Sequence, residues 1–145
     1  MMRAFMTGAV IAAAMLAAPA NAQDTTDLSG TWAFQTNSYG NEQFGVIMSG
    51  AATFTATAPN RYDVRLIANE LIVQRETSAS QLLTARQNCT GENTDGQLTL
   101  TCQLSEAVEG YEPDNFLLQA GTSADELVGA LTSGSSPQVT FTRLR

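Results

Sequence analysis

Cys89 and Cys102 are the only cysteines in the chain, and their chemistry depends on whether they meet. Between them runs Asn93-Thr94-Asp95-Gly96-Gln97. Asp-Gly between alternating residues is a strong hairpin signal, because a type I′ turn needs positive φ at both central positions. That turn sets Thr94 opposite Gln97. Stepping outward from 94 to 89 on one strand, and from 97 to 102 on the other, sets Cys89 opposite Cys102. Counting pair types outward makes this a non-hydrogen-bonded pair, with Cα atoms about 4.5 Å apart. That lies within the disulfide range, and such a bridge stabilises by about 3 kcal/mol. Two free buried thiols are the alternative. A redox-active pair is disfavoured, since no C-x-x-C motif occurs. Leu98, Leu100, Cys102 and Leu104 alternate with Gln97, Thr99, Thr101 and Gln103, which puts the bridge on an inner face.

Charged clusters offer less. Glu106, Glu109, Glu112 and Asp114 could supply oxygen ligands to Ca²⁺. Their spacing fits no known calcium loop, so a solvated acidic loop is favoured, with Tyr111 stapling it to the domain. Arg61, Asp63 and Arg65 share one strand face. They read as an exposed ion ladder in preference to an anion site. The chain has no His and no Lys. This excludes Ser-His-Asp and Cys-His nucleophiles, His-containing zinc sites and Schiff-base chemistry. An enzyme built from these residues would need a carboxylate pair in a cleft. No such pair stands out, so no catalytic residue, metal site or cofactor is assigned.

The elements that position these groups read as strands. Turn signals recur every eight to twelve residues, and no helix-length pattern of period 3.6 stands out. The alternation predicts strands at 30–37, 43–49, 51–58, 61–68, 70–76, 81–90, 97–105, 115–120, 126–133 and 138–145. Residues 106–114 form a loop, because Gly110, Pro113 and crowded like charge oppose pairing. Phe34, Phe44, Val46, Phe54, Tyr62, Val64, Leu66, Phe116, Leu118 and Phe141 fall on the inward parity, as ligand-cavity lining or as core. Eight to ten such strands cover both edges most simply by closing into a barrel. The expected fold is therefore all-β, a single antiparallel up-and-down barrel, with a two-sheet sandwich as the rival.

The first 22 residues read as a secretory signal. Arg3 gives a positive start, Gly8 to Ala18 an apolar stretch, and Ala20-Asn21-Ala22 a cleavage site. The stretch is shorter than the roughly 20 residues that span a bilayer, and no later segment qualifies. Cleavage after Ala22 would release the chain to the periplasm or the exterior. Residues 23–29 would be a flexible tail and 30–145 the barrel. The full chain carries −7, and loss of Arg3 makes the mature form one unit more negative. That field repels phosphate backbones and anionic membranes, so nucleic acid is excluded as a partner.

Leu28-Ser29-Gly30-Thr31-Trp32 opens the first strand, and Phe141-Thr142-Arg143 lies near the end of the last. A G-x-W at the start with an Arg on the closing strand resembles the calycin barrels: lipocalins, avidin-like proteins and the small periplasmic metalloprotease inhibitors of bacteria. The resemblance covers about a dozen residues at the two ends of the domain. It implies a lipocalin-like barrel plugged by Trp32, with Arg143 across its ring. The plainer alternative makes Trp32 ordinary core and Arg143 an exposed charge. In the inhibitor relatives the N-terminal segment enters the protease cleft, which here would be Gln23–Asp27.

Two roles follow. The first is a monomeric, non-enzymatic barrel holding a small apolar ligand in an internal cavity of roughly 300 Å³ or more. The second is a protein-binding module, such as a protease inhibitor, with a filled core. A His-free hydrolase ranks third.

Overall fold

The computed structural model describes residues 27–145. The expected signal at 1–22 and the start of the tail lie outside the described residues. Nine strands run β1 Gly30–Thr36, β2 Tyr39–Gly40, β3 Phe44–Ala58, β4 Arg61–Gln74, β5 Ser80–Thr94, β6 Gln97–Leu104, β7 Asn115–Ala120, β8 Glu126–Leu131 and β9 Gln138–Arg143. Successive strands from β3 to β9 pair antiparallel, and β1 pairs with both β9 and β3. The sheet therefore closes as an up-and-down barrel of eight strands, with β2 as an extra pairing on the start of β3. Among the described residues there is no helix long and apolar enough to cross a membrane.

Period-two alternation builds the wall. In β4, Tyr62, Val64, Leu66 and Ala68 are buried, while Arg61, Asp63, Arg65 and Ile67 face out. The β5–β6 hairpin pairs Thr94 with Gln97 and Cys89 with Cys102. Asp95 and Gly96 both take positive φ, 52° and 84°, as the type I′ turn requires. The two cysteines form a disulfide on the inner face with Cα atoms 4.0 Å apart.

Two expected breaks are absent. The strands anticipated at 43–49 and 51–58 are one strand, β3, and those at 61–68 and 70–76 are one strand, β4. Gly50 explains the first. A Cβ there would sit 1.9 Å from the Ile67 carbonyl oxygen and 2.9 Å from the Phe34 ring. Glycine lets β3 pass close to both without ending. Where β1 stops and β2 has yet to begin, the Thr36 hydroxyl accepts from the Met48 amide at 2.9 Å. It thus substitutes for a missing ladder bond.

Beyond the end of β1, the strands β3, β4 and β5 continue as an arm, with β2 paired along its β3 edge. Phe44 stands on this arm at the rim and is 38% exposed. It does not line the interior, although its parity is inward, because no opposing wall reaches that far.

Candidate functional site

The barrel has two dissimilar ends. At the first, Trp32 is fully buried and its indole Nε1 donates to the Leu28 carbonyl at 2.9 Å. Arg143 places its guanidinium carbon 4.5 Å from the centre of the indole. Its Nε donates to Asp125 at 3.1 Å, its Nη2 to the Asp27 carbonyl at 2.9 Å, and its Nη1 to the Ser29 carbonyl. The Leu28 amide donates to the Tyr62 hydroxyl at 3.2 Å. Asp27–Ser29 are thereby tied to the barrel end and Leu28 is buried, in contrast to the flexible tail expected for them. The carboxyls here sit below their ordinary range. A hydrogen bond from Arg145 lowers Asp125, with Arg143 adding its charge, and hydrogen bonds from Ser29 lower Asp27.

Between the ends lie the aromatic side chains. Trp32 meets Phe54 at a tilt with centroids 6.0 Å apart, and Phe54 meets Tyr62 edge-on at 5.9 Å. Phe34 stacks on Phe141 at 5.0 Å, and Phe116 meets Phe141 edge-on at 5.4 Å. Val64, Leu66 and Leu118 are buried beside them, and Val46 is buried nearer the rim. Phe34 and Phe116 also meet edge-on at 5.8 Å, so the three phenylalanines pack on one another in the interior. An opening lies at the far end.

That end is the mouth. A pocket of about 530 Å³ opens there, lined by Tyr39 of β2, Met48 of β3, Glu70 of β4, Leu131 of β8, residues 110–114 of the β6–β7 loop, and Ser133-Gly134. The loop folds inward on two side chains. Tyr111 is buried and its hydroxyl donates to Asp114 Oδ2 at 2.5 Å. Gln87 Nε2 donates to the same oxygen at 2.6 Å, while Gln87 Oε1 accepts from the Asp114 amide at 2.9 Å. Asp114 is only 5% exposed, and no cation pairs with it among the described residues. Burial pushes its carboxyl up, against the lowering effect of the Tyr111 and Gln87 hydrogen bonds. Burial also raises Glu70, with the charge of Asp114 adding to it. The Tyr39 and Tyr111 phenols are pushed well above their usual range by burial first, then by these carboxyls.

The acids of the β6–β7 loop thus divide. Glu106, Glu109 and Glu112 are exposed and Asp114 turns inward. Among the described residues no three acidic or sulfur side chains converge as a metal cage would require. On the outer wall, Arg61 pairs with Glu92 at 3.7 Å across exposed positions.

Sequence reasoning passed over Tyr39, Met48, Glu70, Gln87 and Leu131, and read Asp114 as solvated. A signal for two of them was available. Glu70 shares parity with buried Val64, Leu66 and Ala68, and Gln87 with Ala85 and Cys89. A polar residue on an inward parity has to find a buried partner.

No family model matches the chain, and no curated protein matches it. Among solved structures it is similar to a de novo designed fluorescence-activating β-barrel. The identity is 15%, over 83% of this chain and 96% of that one, with a TM-score of 0.57. At that identity the likeness shows a shared barrel fold.

Proposed function

We propose that this chain is an exported, non-enzymatic binding barrel that takes a small ligand at its mouth. One observation carries the reading: a pocket of about 530 Å³ with an apolar floor and convergent polar groups. Small-molecule sites commonly span about 300–1,000 Å³ and combine such linings. The ligand's apolar part rests on Met48 and Leu131, beside Tyr39 and Tyr111. Its donor groups face Glu70 and Asp114. This moves the expected apolar site from the interior, where the phenylalanines meet, to the end. The designed barrel that shares this fold is described as fluorescence-activating. The Arg143–Trp32 contact supports the calycin kinship, and the disulfide suits the oxidising compartment that the signal segment implies.

The test is native mass spectrometry of the mature protein from its own host, together with titration by the uncharged dye N-phenyl-1-naphthylamine, which carries one N–H donor on an apolar body. Glu112→Trp alters an exposed lining residue and narrows the mouth. The expected result is a retained small molecule or dye binding in the parent, weakened at least tenfold in Glu112→Trp. A bare parent that ignores the dye, or binding indifferent to Glu112→Trp, overturns the mouth site.

A second reading rests on the same carboxyls. Two acids that share a pocket can divide acid and base roles when one keeps its proton and the other ionises. Binding is preferred because both Gln87 and Tyr111 occupy one oxygen of Asp114. Turnover of aryl glycosides that disappears in Glu70→Gln would reverse that preference.

A further inference from the structure

The arm beyond the barrel wall has a free margin. β6 pairs with β5 only from Gln87 to Thr94. The last bond on that side runs from the Ser105 amide to the Arg86 carbonyl. In an antiparallel strand, alternate residues point their backbone groups to opposite sides. Arg86 therefore fixes the direction, and Ser80, Leu82 and Thr84 present their amides and carbonyls outward. Among the described residues nothing pairs with them.

Natural edges are protected by charge, proline or a bulge. Ser80-Gln81-Leu82-Leu83-Thr84-Ala85 has none of these, in a chain of net charge −7. An apolar row also runs to this margin across the outer face of the arm. Ile47 pairs directly with Leu71, and Leu71 with Leu82. Their exposures are 39, 41 and 60%, highest at the unpaired strand.

We propose that this margin is a self-association site, where β5 of a second copy pairs antiparallel about a two-fold axis through Leu82. Leu82 then lies opposite its own copy and Ser80 opposite the copy's Thr84. The row Ile47–Leu71–Leu82 continues without a break into the second molecule. Self-pairing is favoured over a foreign strand by two features. The segment is uncharged, so two acidic molecules can meet there, and the row ends on the residue that meets itself. The proposal is independent of the mouth site and replaces the monomer expected from the sequence.

The experiment is sedimentation equilibrium on the mature chain, with two substitutions at the exposed Leu82 and one at Thr84. The parent should show twice the monomer mass, with association strengthened by salt as net repulsion is screened. Leu82→Lys places two like charges opposite each other and should give monomer, with an unchanged circular dichroism spectrum. Leu82→Cys should form an interchain disulfide on mild oxidation, since a directly opposed pair lies within bridging distance. Thr84→Cys should not, because it meets Ser80. A parent that stays monomeric to millimolar concentration overturns the proposal, as does a dimer that survives Leu82→Lys. So does a monomer in which amide exchange at Leu82 and Thr84 is slowed by residues 23–26 or by an added peptide strand.

Discussion

The two ends of this barrel treat buried charge in opposite ways. At the plugged end, the Arg143 guanidinium donates to two backbone carbonyls and to Asp125, and covers the Trp32 ring. Every charge there has an opposite charge or a dipole against it, and the carboxyls are lowered. At the mouth, Glu70 and Asp114 share a pocket with two tyrosines and no cation among the described residues, and both are raised. The plug is arranged for stability. The mouth holds polar groups in a setting that costs folding free energy. One fold separates these tasks because the residues between the ends form a continuous apolar column.

The comparison can be broken most forcefully at Trp32. Trp32→Ala removes the fully buried ring that Arg143 and Phe54 contact, and should cost about 3–5 kcal/mol in denaturant unfolding. Binding at the mouth should persist in whatever fraction remains folded. Loss of mouth binding in the folded fraction would show that the two ends are coupled. Arg143→Met keeps bulk over the indole and removes the charge. It should cost about 2 kcal/mol, from the cation–π contact and the charged hydrogen bonds. A cost near zero would reduce Arg143 to a surface charge.

The smallest effect sharpens the contrast through pH. The ordinary values for Glu70 and Asp114 are 4.5 and 3.8, and both groups are raised in the fold. Their contribution to stability is complete below those values and is lost as pH rises through the raised ones. Asp27 and Asp125 behave in reverse. Their contribution is complete above 3.8 and is lost as pH falls through their lowered values. Thermal stability should therefore rise as pH falls through the raised values of Glu70 and Asp114, and drop again in stronger acid as Asp27 and Asp125 are protonated. Asp114→Asn should flatten the rise and leave the acid drop in place. An unchanged slope in Asp114→Asn would remove Asp114 as its source.

Local signals made most of the wall legible. Asp95-Gly96 set the hairpin register and with it the Cys89–Cys102 pair, because a two-residue turn leaves no freedom in the pairing. Inward parity ran along each strand from near neighbours. The mouth was not legible, because its members meet only when the sheet closes. Gln87 and Asp114 lie 27 residues apart, and Tyr39 comes from a two-residue strand with no periodicity of its own. The acidic loop misled for a physical reason. Three of its four acids do face solvent, and nothing local marks the fourth as the one that Tyr111 and Gln87 draw inward. Gly50 misled in the other direction: it falls where one strand was expected to give way to the next, yet here it permits close approach to Ile67 and Phe34 within one strand.

The opposition between the ends is measured most directly by carbon-detected NMR titration of the side-chain carboxyls in the folded protein. Glu70 and Asp114 should titrate above 4.5 and 3.8, and Asp27 and Asp125 below 3.8. If the mouth carboxyls titrate at or below the values of the plugged end, the mouth is an ordinary solvated rim and the account of it is wrong.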